Sequence, residues 1–177
     1  MRLLRKLVMF LLFLIIVLAV ISFFLPSKAH VERSMVVDAP QRVVFKEVHE
    51  LKNWEKWSPF SAADPTLKVA YNGTTVGIGG RYDWTSENSG EGYIEIKESN
   101  PPNSLKTYVA FEGQGDGYGS WRFEPMGDNR TKVTWGFDTE FGLNPLQRFM
   151  GLMMDRFLGP SYEDGLKRLK EVSEQAK

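Results

Sequence analysis

Hydrophobic and polar residues follow three successive patterns along the chain. Residues 7–25 are apolar at 18 of 19 positions, and Ser22 is the polar exception. From Leu67 to Glu140 apolar and polar residues alternate, as they do in strands with one buried face. After Pro145 apolar residues recur every three or four positions, which is typical of an amphipathic helix. The pattern predicts an apolar N-terminal helix, an antiparallel sheet and a long C-terminal helix.

The apolar N-terminal segment is long enough to cross a bilayer. Nineteen helical residues extend about 28 Å, close to the hydrocarbon thickness of about 30 Å, and no charge opposes insertion. Arg2, Arg5 and Lys6 precede the segment and favour a cytoplasmic N-terminus. A cleavable signal peptide is the alternative, but its apolar core usually spans about 7–15 residues, so we favour a retained, uncleaved anchor. Either way we expect the C-terminal domain on the periplasmic or extracellular side of the cytoplasmic (inner) membrane.

The remaining chain reads as one folded domain. Val31–Val37 predicts a first strand, and Val44, Val48 and Leu51 have the spacing of a short helix. Glycine-rich segments, among them residues 113–117, predict turns between the later strands. Gly159-Pro160 is expected to kink or interrupt the C-terminal helix. The predicted divisions are a cytoplasmic N-terminus (1–6), a transmembrane anchor (7–25), a linker (26–30) and a folded domain (31–174).

Charge and composition narrow the possible functions. The chain has 22 basic and 22 acidic residues, and residues 26–177 hold 19 of the former and all 22 of the latter. A mildly acidic domain argues against a nucleic-acid partner. The absence of cysteine excludes disulfides, thiolate metal sites and a cysteine nucleophile. With only His30 and His49, a histidine-rich metal centre is also excluded, and we expect no cofactor.

Several local motifs resemble one known superfamily. They are Asp38-Ala39-Pro40 followed by Val44-Phe45, the segment from Asn53 to Pro59 (NWEKWSP), the segment from Gly77 to Trp84 (GIGGRYDW), Pro101-Pro102, and the segment from Gly165 to Lys170 (GLKRLK). These motifs are spread over residues 31–173 and resemble those of the START-like or Bet v 1-like (SRPBCC) superfamily, in particular its polyketide cyclase/dehydrase subgroup. The resemblance implies an α+β helix-grip fold, in which a curved antiparallel sheet of about seven strands wraps a long C-terminal helix. Because the superfamily includes lipid carriers, ligand binders, cyclases and co-chaperones, it implies a cavity rather than one reaction.

The candidate cavity residues are the aromatic and aliphatic side chains predicted to point inward. They fit either the wall of a ligand cavity or an ordinary filled core. On the strands they are Tyr82, Trp84, Ile96, Phe111, Trp121, Phe123, Trp135 and Phe137. On the C-terminal helix they are Met150, Met153 and Phe157, with Met154 beside them, where the family's helix closes its cavity. Adaptable thioethers suit an apolar ligand.

Few groups suggest catalysis. Glu98 has the same strand parity as Ile94 and Ile96, so it is the acid expected to point inward, and a structural role for it outweighs a catalytic one. Trp54 and Trp57 are expected to fix short helices on the sheet. We find no nucleophile beside a base and assign no catalytic residue.

Three functions remain open at this stage. The first is a membrane-anchored domain that binds a hydrophobic small molecule or lipid. The second is an enzyme of the cyclase or dehydratase kind, which would need at least two polar residues deep in the cavity. The third is a protein-interaction module with a filled core. We favour the first, because polar cavity groups are scarce.

Overall fold

The computed structural model describes residues 2–113 and 115–176, which contain seven strands and six α-helices. The helices are α1 (Arg2–Ser22), α2 (Gln41–His49), α3 (Trp54–Trp57), α4 (Pro59–Ala63), α5 (Pro145–Gly151) and α6 (Met154–Gln175). The strands are β1 (Lys28–Val37), β2 (Lys68–Ala70), β3 (Arg81–Ser86), β4 (Gly90–Asn100), β5 (Ser104–Phe111), β6 (Gly115–Pro125) and β7 (Thr131–Glu140).

The strands form one sheet in the order β1-β7-β6-β5-β4-β3-β2, and every neighbouring pair is antiparallel. Strand β1 therefore closes onto the last strand, while β2 to β7 follow one another as a meander. Helix α6 packs along β1 and against α2, α3 and α4, so it covers the inner face of the curved sheet. This arrangement confirms the α+β helix-grip fold with seven strands.

A β-bulge in β4 places Glu98 outside the core. The register shifts between Ile96 and Glu98, so the residue opposite the buried Leu105 is Ser99. The Glu98 carboxylate is 71% exposed and lies 3.4 Å from Lys106 Nζ. The expectation that Glu98 points inward is therefore wrong, because the extra residue of a bulge reverses the side-chain alternation beyond it.

Helix α6 continues through Pro160, so the interruption that was one of the two outcomes expected at Gly159-Pro160 does not occur. A side chain before proline normally clashes with the proline ring in the helical conformation, but Gly159 has no Cβ. The same lack of a side chain admits the Arg33 guanidinium, which a Cβ at position 159 would overlap. The actual break comes earlier, at Leu152 and Met153 between α5 and α6.

The two tryptophans of α3 tie the short helices to the core. The Trp54 indole donates to the carbonyl oxygen of Val48 (2.8 Å), and the Trp57 indole donates to that of Glu47 (3.1 Å). Trp57 is fully buried. Both tryptophans therefore have the structural role that their spacing predicts.

Helix α1 carries the apolar segment. Leu3–Ser22 is long and apolar enough to cross a membrane, and such a helix near the N-terminus fits either an anchor or a signal sequence. Strand β1 begins at Lys28, three residues before the predicted start at Val31, so the linker is shorter than expected. Only residues 23–27 separate α1 from the sheet.

Candidate ligand-binding cavity

A cavity of about 430 Å³ lies between the inner face of the sheet and helices α5 and α6. Its volume falls within the range of about 300–1,000 Å³ that small-molecule sites occupy. Most of its lining is apolar and comes from β3 to β7 together with α3 to α6. A second depression of about 330 Å³ at the sheet edge, beside Thr66 and Lys68, is open and polar and encloses a ligand less well.

Alternating glycines on β6 make room for side chains of the neighbouring strands that line the cavity. Gly115, Gly117 and Gly119 share strand parity with the inward-facing Trp121, so the first half of β6 presents no side chain to the interior. Gly119 faces Thr107 so closely that a Cβ would overlap its hydroxyl. The glycine content of residues 113–117 predicts a turn, but β6 already begins at Gly115. Gly117 and Gly119 therefore admit the side chains of Phe137 and Thr107, both of which line the cavity.

Seven of the eleven candidate residues line the cavity. The rings of Trp84 and Phe111 lie 5.4 Å apart at one side of it. The ring of Tyr162 stacks on Trp135 at the other, with centroids 3.9 Å apart. The seven are Tyr82, Trp84, Phe111, Trp135, Phe137, Met150 and Phe157.

The other four candidates lie elsewhere. Ile96, Trp121 and Phe123 are almost fully buried in the filled half of the core. There the α2 ring of Phe45 contacts Phe123 at 5.4 Å and Trp57 contacts Trp121 at 5.6 Å, so no space remains for a ligand. Met153 is 47% exposed in the turn between α5 and α6 and does not reach the cavity.

Other lining residues were not among the candidates. Trp54 lines the cavity in addition to fixing α3, and Leu158 and Tyr162 extend the wall along α6. Tyr162 and Leu166, which is fully buried, continue the apolar stripe of the C-terminal helix, so periodicity marks them as inward. It does not distinguish a side chain beside a cavity from one in a filled core.

Two phenols belong to the polar groups of the cavity wall, which also include Ser58, Ser61, Ser89, Thr107, Thr139 and Gln147. Burial raises the pKa of Tyr82 and Tyr162 above the usual value for a tyrosine, so both stay protonated at neutral pH. No side chain or backbone group among residues 2–113 and 115–176 hydrogen-bonds to either hydroxyl. Tyr82 is nevertheless half-exposed, because it faces the open cavity rather than packed atoms. Both hydroxyls are therefore available to a polar group of a ligand.

Sequence comparison identifies the family of the domain. Residues 28–174 match the family model described as polyketide cyclase / dehydrase and lipid transport. The chain belongs to this family. No curated protein sequence matches it.

Solved structures share the fold of this polyketide cyclase/dehydrase and lipid transport family member. The Zhui aromatase/cyclase of Streptomyces sp. R1128 superposes with a TM-score of 0.61 at 16% identity, over 84% of this chain and 94% of that one. A protein of Arthrobacter aurescens, solved by NMR, gives 0.60 at 16% identity, over 82% and 86% of the two chains. A hypothetical protein of Helicobacter pylori gives 0.59 at 13% identity, over 81% and 87%. At these identities the likeness shows the fold alone.

The family description suggests a ligand-binding or cyclase-type role. The described residues that line the cavity include no histidine, lysine or arginine. Its two carboxylates, Asp116 and Glu140, lie exposed at the rim, where Asp116 accepts from the Tyr108 hydroxyl and Glu140 pairs with Lys28. In the described part of the chain no group of side chains has the arrangement of a metal site.

Proposed function

We propose that this protein is a membrane-anchored binding domain that holds a hydrophobic small molecule or lipid between the sheet and α6. The observation that carries the proposal is the partly enclosed, largely apolar cavity of about 430 Å³. Each methylene group moved from water into such a site contributes about 0.8 kcal/mol, so an acyl chain or fused-ring ligand offsets the cost of association. The hydroxyls of Tyr82 and Tyr162 would orient a polar end of that ligand.

A cyclase or dehydratase function has weaker support. General acid–base catalysis requires a titratable group within hydrogen-bond reach of the reacting atoms. The carboxylates of Asp116 and Glu140 lie at the solvent-exposed rim and already have partners. The buried phenols can orient a substrate, but at neutral pH they are poor bases. Binding therefore accounts for the cavity with fewer requirements than catalysis.

An interaction module with a filled core is the remaining alternative. The cavity volume counts against it, since native interiors rarely leave voids larger than a water molecule. Without a ligand, the apolar side chains of the cavity wall face water and lose the burial that contributes about 25 cal/mol per Å² of apolar surface. Protein partners on other surfaces remain compatible with ligand binding.

We further propose that α1 is a retained single-pass anchor in the cytoplasmic membrane. Arg2, Arg5 and Lys6 would hold its N-terminus in the cytoplasm, and the domain would lie on the periplasmic or extracellular side. The length of the apolar helix supports the anchor. A reporter that is active only outside the cytoplasm, fused after Lys177, should be active, and activity of a cytoplasm-only reporter there would reverse the orientation.

The binding proposal is tested with the full chain, extracted from membranes in a mild detergent. Native mass spectrometry should show an added mass that survives removal of the detergent, and organic extraction should release a stoichiometric apolar molecule. Detection of the bare chain alone in both measurements, with the fold intact by circular dichroism, would contradict a ligand-binding function.

A further inference from the structure

A stripe of exposed apolar side chains follows α5 and the start of α6. Its members are between 47% and 74% exposed, although each is a large hydrophobic residue. Contiguous apolar surface of this kind usually marks an interaction site rather than ordinary solvent-facing surface. We call this set the mouth stripe; it consists of Leu143, Leu146, Met150, Leu152, Met153 and Phe157.

The mouth stripe forms part of the cavity's entrance. Met150 and Phe157 belong to the stripe and also line the cavity, although they are 60% and 65% exposed. Phe111, across the opening on β5, is likewise both a lining residue and exposed. A ligand that enters between them passes over apolar side chains.

Arg148 joins this entrance to the end of the apolar helix α1. Its buried guanidinium donates to the carbonyl oxygens of Ser22 (3.0 Å) and Phe23 (3.3 Å). The same side chain donates to Gly142 at the start of the stripe (2.8 Å). Carbonyl groups at a helix C-terminus lack partners within the helix and carry partial negative charge, so a guanidinium satisfies them well. Helix α5 is thereby held against the point where α1 ends.

The short linker leaves little freedom between α1 and the domain. The backbone N–H of Phe141 donates to the carbonyl oxygen of Ser27 (2.8 Å), directly before β1 begins at Lys28. Strand β1 then pairs with β7 from Lys28 opposite Glu140 onward. The chain is therefore fixed at both ends of residues 23–27.

We propose that the mouth stripe inserts into the leaflet in which α1 ends, so that the cavity exchanges its ligand directly with membrane lipids. The uncharged stretch of residues 7–25 extends about 28 Å as a helix, close to the thickness of the hydrocarbon core, so its C-terminal end lies at one face of that core. Ser22, the last residue of α1, thus lies close to this membrane face, and Arg148 holds the stripe near the same level. This inference rests on the proposed function and adds the source of the ligand and its route.

Site-specific fluorescence tests the placement of the stripe. Because the chain has no cysteine, Met153→Cys gives a single site for an environment-sensitive label such as NBD. Asp128→Cys is the control, because Asp128 lies in the turn between β6 and β7, at the end of β7 that begins with Thr131. The other end of β7, Glu140, lies at the cavity rim about 30 Å away. Leu146→Cys is a second stripe site in case Met153→Cys fails to fold. The full-length variants are reconstituted in phosphatidylcholine nanodiscs, with and without nitroxide-labelled lipid.

The expected result is a blue-shifted emission at positions 153 and 146 that nitroxide lipid quenches, and a water-like, unquenched emission at position 128. Water-like emission at all three positions would overturn the inference. A blue shift without lipid quenching would also overturn it, because protein rather than lipid would then cover the stripe. Lipid co-purification, measured separately, would leave the binding function standing in either case.

Exchange kinetics test the route. Leu146 is 69% exposed and does not line the cavity, so Leu146→Glu leaves the binding site intact. The transfer of a nitroxide-labelled fatty acid from donor vesicles is monitored by the quenching of the cavity tryptophans. We expect this transfer to be about tenfold slower in Leu146→Glu than in the unmodified chain, equivalent to about 1.4 kcal/mol. Lys167→Glu, on the exposed face of α6, is the control for added negative charge. Equal transfer rates in the unmodified chain and in Leu146→Glu would overturn direct exchange.

Discussion

The phenol ring of Tyr162 lies flat on the indole of Trp135, with centroids 3.9 Å apart and planes inclined by 9°. Trp135 stacks in turn on Trp121 at 4.4 Å, so three rings connect α6 to the adjacent strands β7 and β6. Tyr162 and Trp135 line the cavity, whereas Trp121 belongs to the filled core. The stack is therefore the boundary between the part of the interior that stabilises the fold and the part that is left open.

Substitutions of Tyr162 should separate these two roles. Tyr162→Phe keeps the stack and removes a hydroxyl that has no hydrogen-bond partner among residues 2–113 and 115–176, so the free energy of unfolding should hardly change. Affinity for a fatty-acid probe should fall severalfold, as expected from the loss of a hydrogen bond of about 0.5–1.5 kcal/mol. Tyr162→Ala removes the ring and should cost about 3–5 kcal/mol of stability. Urea unfolding and probe titration of both variants measure this, and equal destabilisation by the two would mean that the hydroxyl is structural.

The domain should fold without its N-terminal helix. Residues 26–177 retain the whole sheet, α6 and the core, and lose only the Ser22, Phe23 and Leu25 carbonyl oxygens that accept from Arg148. We expect a soluble protein with a cooperative thermal transition in detergent-free buffer, followed by circular dichroism. Aggregation, or melting without a cooperative transition, would show that α1 is part of the folding unit.

The spacing of apolar residues predicts the strands and helices of the fold, because in each element these residues lie on the face that is buried. The inward positions Trp84, Trp135 and Phe137 follow directly from alternation in β3 and β7. The resemblance to the superfamily supplies the curved sheet wrapped on a C-terminal helix, which no single segment specifies. Both succeed because local patterns and tertiary burial agree in these elements.

The wrong predictions have structural causes that the spacing of apolar residues does not reveal. The bulge before Glu98 adds one residue to a regular alternation, and it is visible only in the pairing with β5. The filled half of the core depends on Phe45 and Trp57, which come from helices distant in the sequence. The walls of the open half include Phe137 and Thr107, which pack over Gly117 and Gly119 of β6, whereas the glycine content of residues 113–117 predicts a turn. The position of the cavity therefore depends on how all these elements pack together, and no single segment predicts it.

A buried carboxylate beside the cavity should make stability depend on acid pH. Asp64 accepts from the hydroxyls of Ser86, Thr66 (2.7 Å) and Ser89 (2.9 Å), and the first two hold its pKa well below the usual range. A carboxylate with a depressed pKa stabilises the fold above its unfolded-state pKa of about 3.9, and this contribution is lost as the pH falls towards the folded-state pKa. Asp64→Asn should therefore lower stability at pH 7 and lose less stability between pH 5 and pH 2.5 than the unmodified chain.

Urea unfolding at several pH values measures this difference. Asp128→Asn, in the exposed turn between β6 and β7, is the matched control and should leave the pH profile unchanged. Parallel pH profiles for the unmodified chain and Asp64→Asn would contradict the proposed hydrogen-bonded role of the carboxylate.

Filling the cavity tests the central claim most directly. Val109 lines the cavity from β5, so Val109→Phe places a ring in the open volume. Val36→Phe makes the same change at a position on β1 that is 38% exposed and outside the cavity. Cavity-lining Trp54, Trp84 and Trp135 report a bound ligand, because a nitroxide-labelled fatty acid quenches their fluorescence only at close range.

The decisive measurement is quenching of this fluorescence in the full-length chain in nanodiscs as the labelled fatty acid is added. We expect saturable quenching in the unmodified protein and in Val36→Phe, and an affinity at least about tenfold weaker in Val109→Phe, equivalent to about 1.4 kcal/mol. Urea unfolding must show that both variants remain folded. Absence of saturable quenching in the unmodified chain, or identical affinities in folded Val109→Phe and Val36→Phe, would contradict ligand binding in the cavity.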